Sequence, residues 1–508
     1  MFFLSSYEKK LKAFKDHVSK IEYYNSALAL LNWDMMTSIP EKGVSARSSL
    51  IGLLSSEVFQ MSTSSEMEEY INYFSESENK AKLDQIMKVV LKESSKDFKR
   101  HKKIPADKYR EFVELTSEAQ SVWEKAKHKN DFSLFQPYLE KIVNYNLEFI
   151  EHWGYEGNKY NTLLDYYEPD MTVENLDQIF EELKNAIIPM LAKIKDSDVQ
   201  IKNPLLNKDF NKEKQKEICK YLLKEMGFDL KAGILEESEH PFTINLNPDD
   251  VRLTTHYYPE NPLSAIFSSL HEGGHGLYEQ NINKKLTGTT LGTGTSMGIH
   301  ESQSLFWEKM IGRSRKFWNQ YYSKLQEFFP EKTRDISLED FYKAINKVEP
   351  SFIRIEADEL TYNLHIIIRY EIEKALINQE ITVSELPEVW NQKMKDYLGI
   401  VPETDTEGVL QDVHWSAGLL GYFPSYSLGY IYGAQIYNTA RKEIDNFDTL
   451  LEEGNLIPIK EWLAEKIHQH GKLLQPIDLI MKVTGEKSNP EYLINYLEEK
   501  YTKIYQLN

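Results

Sequence analysis

The chain has 508 residues, 60 Lys and Arg against 79 Asp and Glu for a formal net charge of −19, and is 41% hydrophobic and 27% charged. That balance excludes whole-chain disorder, collagen and coiled coil, and its negative surplus speaks against nucleic acid and anionic membrane surfaces, which are bound through Lys and Arg. The single cysteine, Cys219, excludes an intrachain disulfide and a cysteine zinc cluster, and fits a reducing compartment.

The opening Met1-Phe2-Phe3-Leu4-Ser5 lacks the basic and long apolar regions of a secretory signal, and no run of about 18 apolar residues follows. The expectation is a soluble, cytoplasmic protein without a membrane span. Only 23 Gly and 18 Pro interrupt the chain, so long helices are expected. Leu11, Phe14, Val18 and Ile21 stand at helical spacing and predict a core helix over 6–31; similar patterns predict helices over 176–188 and 352–377. The basic run over 95–103 reads as a solvated helix face. Neither a 20–50-residue repeat nor a flexible linker is visible. The chain is therefore read as one large domain, 1–508, with a catalytic core of about 235–435 after a helical N-terminal part of about 1–200. The main exception to helix lies at 240–255, where two β-type runs flank Asn247-Pro248-Asp249 and predict a hairpin.

Asn261 followed by Pro262 starts a predicted helix through 280. It carries His271-Glu272-Gly273-Gly274-His275. Residues four apart share a helix face, so both imidazoles can grip one divalent ion, with Glu272 placed as the base for an activated water. A chance match to this pattern in such a chain is expected on the order of 3% of the time. The paired glycines strengthen the reading, since each costs about 1 kcal/mol in a helix interior and implies close approach of another segment. A third ligand is needed. Glu301 is the best candidate, 26 positions after His275 on a segment that Leu305, Phe306 and Trp307 mark as helical. Glu279 and Glu308 compete; Glu279 shares the face of His275 and reads as the carboxylate that orients it. Gly288, Gly292, Gly294 and Gly298 between the two helices read as a flexible loop crossing a cleft, not as a dinucleotide fingerprint.

These motifs resemble those of the carboxypeptidase Taq family of metallocarboxypeptidases. The likeness rests on the segment from His271 to Gln280 and on His300-Glu301-Ser302-Gln303. It extends to His240-Pro241-Phe242, Asp250-Val251-Arg252-Leu253-Thr254, Ile353-Arg354 with Ala357-Asp358, and Gly408 to Trp415. In the N-terminal third it includes Leu31-Asn32-Trp33-Asp34, Asn130-Asp131-Phe132 and Tyr166-Tyr167-Glu168-Pro169. Two departures stand out: Gly273, where a bulky residue is common, which puts substrate fit in question, and Asp170, where glycine usually follows.

The resemblance implies a predominantly helical, saddle-like all-α fold with a short β-hairpin beside the metal helix. It also implies a deep groove walled by the N-terminal part, a homodimer, one zinc or cobalt ion, and removal of residues from free peptide C-termini. It makes Arg354, on a helix, and Arg252 the candidates for binding the terminal carboxylate. His414 with Tyr426 and Tyr422 become candidate oxyanion donors. The hairpin edge at 244–246 could pair with an extended peptide. His240 and His256 read as lining, and His468 and His470 as solvated. The alternatives are an oligopeptidase or dipeptidase using the same site, and a noncatalytic peptide-binding protein, for which Glu272 would have no purpose.

Overall fold

A computed structural model of the chain describes residues 5–205 and 209–507; the apolar opening at 1–4 lies outside them. Helix α1 (Ser6–Thr37) begins with a capping box between Ser5 and Glu8 and buries the predicted stripe of Phe14, Val18 and Ile21, then Trp33. It runs on past the predicted end at 31 and pairs with α2 (Val44–Ser62). The basic run lies on α3 (Gln85–Lys103). Its Lys99, Lys102 and Lys103 are exposed as expected, whereas Lys96 and Arg100 share Asp165, beside α4 (Tyr160–Tyr167). The predicted 176–188 helix is the middle of α5 (Val173–Lys195).

The hairpin forms as β2 (Thr243–Asn247) and β3 (Asp250–Thr255), antiparallel, with Thr243 opposite Leu253 and Ile244 opposite Arg252. A third strand, β1 (Gly233–Glu237), pairs parallel with β3, so the order is β1-β3-β2 and β2 is an edge. Side-chain alternation sends Val251 and Leu253, both fully buried, toward the metal helix α6 (Pro262–Gln280).

Helix α7 (Met297–Leu305) runs directly into a π-helical turn, Phe306–Ile311, and packs between α6 and α9 (Pro424–Glu443). The predicted 352–377 helix is shorter than its pattern suggests. Arg354 lies on a single 3-10 turn, Arg354–Glu356, and α8 starts only at Tyr362. Asp358 explains the break: its side chain accepts the backbone N–H groups of Leu360 and Thr361 at 2.9 and 3.0 Å, offering them a local alternative to helix. No helix among the described residues is long and apolar enough to cross a membrane.

Candidate metal centre and active site

His271 and His275 leave the same face of α6, and Glu301 meets them from α7. Their Nε2 atoms lie 3.7 and 3.5 Å from Glu301 Oε2. Those spacings are long for hydrogen bonds but close to the roughly 3.4 Å edge of a tetrahedron whose metal–ligand bonds are about 2.0–2.2 Å. Three ligand atoms that face one point without bonding each other fit a divalent ion.

The second nitrogen of each imidazole is occupied, which sets its tautomer and leaves Nε2 for the ion. His271 Nδ1 donates to Glu308 Oε2 at 3.0 Å. Glu308 stands on the π turn that follows α7. It orients a ligand instead of competing to be one. His275 Nδ1 donates to His300 Nδ1 at 2.6 Å, and His300 Nε2 donates to Glu279 Oε1 at 2.7 Å. Glu279, expected to accept from His275 directly, thus acts one imidazole removed. Burial, with His300 alongside, pulls His275 down to about 4, so this ligand is neutral at physiological pH.

The paired glycines do mark a close approach. A Cβ on Gly274 would lie 2.4 Å from the Gln303 carbonyl oxygen and 2.7 Å from Ser304 Cα, so the backbones of α6 and α7 touch there. Gly274→Ala is expected to destabilise the protein by about 2 kcal/mol through overpacking and to speed metal loss. Parallel denaturant melts and chelator titrations check both effects. The Gly288–Gly298 segment is no free loop. Gly288 O accepts from Ser19 Oγ at 2.8 Å, Gly292 O from Asn245 Nδ2 at 3.2 Å, and Thr293 Oγ1 and Gly294 N donate to Glu279 at 3.1 and 3.3 Å. His468 is likewise not solvated: it is fully buried, its Nε2 2.9 Å from Gln303 Oε1. His470 is half-buried against Lys482 Nζ at 3.1 Å.

Glu272 is buried beside the cluster, and Thr243 Oγ1 from the edge strand donates to its Oε2 at 2.6 Å. Burial raises its pKa from the ordinary carboxylate value, opposed by His271 and the Thr243 bond, the direction that suits a general base. His414 Nε2 lies 3.2 Å from Tyr426 Oη. Burial lowers the His414 pKa to about 4 and raises that of Tyr426, so the pair is a neutral imidazole and a protonated phenol. Tyr422 packs on both rings, at 5.6 and 5.2 Å. After burial, the Glu301 charge is the next cause raising the Tyr422 pKa, and it acts on Tyr426 too.

Arg354 is buried with its Nε and Nη2 on Asp412 Oδ1 at 3.0 and 2.9 Å, its guanidinium over the Tyr426 ring at 5.0 Å. The other Asp412 oxygen takes Arg369 Nε at 2.7 Å. Two cations thus share one anion. Burial alone would raise the Asp412 pKa, but the two guanidinia hold it well below the usual carboxylate range. Arg252 stands on β3. Its place opposite Ile244 turns it to the sheet face away from Val251 and Leu253, where it forks Asp250 at 2.8 and 2.9 Å over the Trp33 ring.

A family model described as carboxypeptidase Taq (M32) metallopeptidase matches residues 13–501. The chain belongs to the carboxypeptidase Taq family. As a member it is a metallocarboxypeptidase. It is 50% identical to carboxypeptidase 1 of Bacillus subtilis, covering 99% of this chain and 100% of that one. It is 38% identical to thermostable carboxypeptidase 1 of Thermus thermophilus over 95% and 96% of the two chains. The M32 carboxypeptidase structure from Deinococcus radiodurans superposes with a TM-score of 0.95 at 31% identity, over 98% and 100% of the two chains.

Against the carboxypeptidase Taq pattern, the two departures acquire structural meanings. The missing Cβ of Gly273 faces Leu223 and Met226, so this position concerns core packing and not substrate fit. Asp170 has φ +67°, the left-handed conformation for which glycine is the ordinary choice. Sequence reasoning missed the roles of Thr243, His300, Arg369 and Asp412, and Tyr362, which packs on Tyr426 at 6.5 Å. Arg369 had a signal, a lone cation ending the apolar run at 364–368.

Proposed function

We propose that the protein removes single residues from the free C-terminus of peptides with broad side-chain tolerance, using one zinc or cobalt ion held by His271, His275 and Glu301. The observation that carries this reading is the oriented His271–His275–Glu301 cluster with Glu272 beside it. A divalent ion there supplies Lewis-acid polarisation of the scissile carbonyl and acidifies water. Glu272 takes the proton of the attacking water and passes it to the leaving amine, while Thr243 keeps its carboxylate in register. His414 and Tyr426 donate to the developing oxyanion, with Tyr422 shaping the pocket. Arg354 receives the terminal carboxylate through the N–H groups that Asp412 leaves free, and Arg252 is a second anchor from the α1 side.

The peptide backbone extends along β2, an edge of the sheet among the described residues. Contacts of α1 with β2 and the glycine segment, Ser26 Oγ to Leu246 O at 3.1 Å and Ser19 Oγ to Gly288 O, support the N-terminal part as a groove wall. Family membership supports a homodimer. The lone Cys219, buried and with its thiol pushed up to about 12, suits a cytoplasmic setting.

One unblocked peptide and its C-terminally amidated twin, followed by mass spectrometry with and without chelator, test this. Stepwise loss from the unblocked peptide alone is expected, abolished by chelator and restored by zinc or cobalt. Internal cuts in both peptides would make the enzyme an oligopeptidase instead.

A further inference from the structure

The Tyr166-Tyr167-Glu168-Pro169 motif has no part in the chemistry above, yet it ends at the metal helices. Glu168 caps the C-terminus of α4 and is 1% exposed. Its Oε2 accepts the backbone N–H of Gly298 at 3.1 Å, and its Oε1 accepts Tyr432 Oη, from α9, at 3.0 Å. Gly298 is the second residue of α7, one turn before Glu301. A Cβ at 298 would lie 2.7 Å from Glu168 Oε2, so the glycine makes room for this carboxylate. The neighbouring Tyr167 ring packs on Tyr422 at 5.1 Å.

We propose that Glu168 is a positioning residue of the metal centre, which fixes the start of α7 against α9 and thereby the direction in which Glu301 projects. A carboxylate suits the task, because the first N–H groups of a helix lack intrahelical partners and carry partial positive charge. Burial pushes its pKa up to about 7, against the opposing bonds from Ser296, Tyr432 and Gly298, so this is a costly place for the group. Polar residues kept at such a cost are fixed by what they hold. Glu373 gives an internal comparison: it is equally buried with a pKa also about 7, but it accepts from Tyr160, Trp415 and the Gly421 backbone. It ties down no metal-bearing helix.

The inference rests on the metal-site reading, and one experiment separates the two. Zinc affinity of the full chain is measured by competition with a chelating dye, well below each melting temperature, for the wild type, Glu301→Gln, Glu168→Gln, Tyr432→Phe and Glu373→Gln. Outer partners of metal ligands typically alter affinity by about 10- to 100-fold. Glu168→Gln is expected to weaken zinc about tenfold, Tyr432→Phe less but in the same direction, and Glu373→Gln to lower the melting temperature with zinc affinity unchanged. Equal zinc affinities for Glu168→Gln and Glu373→Gln overturn the proposal; should Glu168→Gln not fold, Tyr432→Phe decides by the same comparison. Equal zinc binding by the wild type and Glu301→Gln overturns the metal-site reading itself, and the proposal with it.

Discussion

Glu272→Gln is expected to lower kcat by about a thousandfold or more, within the range assigned to a positioned general base, while the protein keeps its metal and KM stays within a few-fold. Gln has the same shape, and its amide oxygen still accepts from Thr243, so packing and the three ligands are undisturbed. Only the capacity to take a proton is lost. Steady-state kinetics beside metal analysis of the same sample checks this; residual activity within tenfold of the wild type would remove Glu272 from its role. The sign of the pH dependence follows from the same residue. A base whose pKa is raised by burial is silenced as pH falls through that raised value, so the acid limb of kcat/KM is displaced upward from where an unperturbed carboxylate would put it.

Arg354→Ala is expected to raise KM for unblocked peptides by about 10- to 100-fold, the value of one or two charge-assisted hydrogen bonds, with kcat changed far less. The variant should fold, because Asp412 keeps its bond from Arg369 and is not left as an unpaired buried charge. Arg354→Lys restores charge without the planar fork and should recover only part of the loss. Equal losses in kcat and in binding, with a large drop in melting temperature, would instead mark Arg354 as a purely structural partner of Asp412.

The parts of this site legible in the sequence are those fixed by local spacing. Residues 271 and 275 share a face whatever the rest of the chain does, and the Asn261-Pro262 start fixes that face within a helix. The approach of Glu301 to them is legible because an apolar stretch after it announces a second helix able to lie alongside. The supporting partners were not, for each depends on a feature without a local signature. Glu308 reaches His271 from a π turn, which no spacing rule in the sequence announces. His300 intervenes between His275 and Glu279 only because the glycine contact brings α7 so near. The Arg354–Asp412–Arg369 arrangement joins segments 58 and 43 positions apart. Strand β1, with two glutamates in five residues, has too little apolar alternation to be recognised before its partner is in place.

Helix α7 meets glycine on both flanks: Gly274 from α6 against Gln303 and Ser304, and Gly429 from α9, where a Cβ would lie 2.6 Å from Glu301 Cβ and Cγ. Main chain meets main chain on one side and the Glu301 stem on the other, so α7 is closely spaced from both neighbours. In the proposed site, the spacing of His271, His275 and Glu301 is therefore set by residues outside the cluster. Discrimination among divalent cations by radius should then drift when those glycines change, even while every donor atom stays the same.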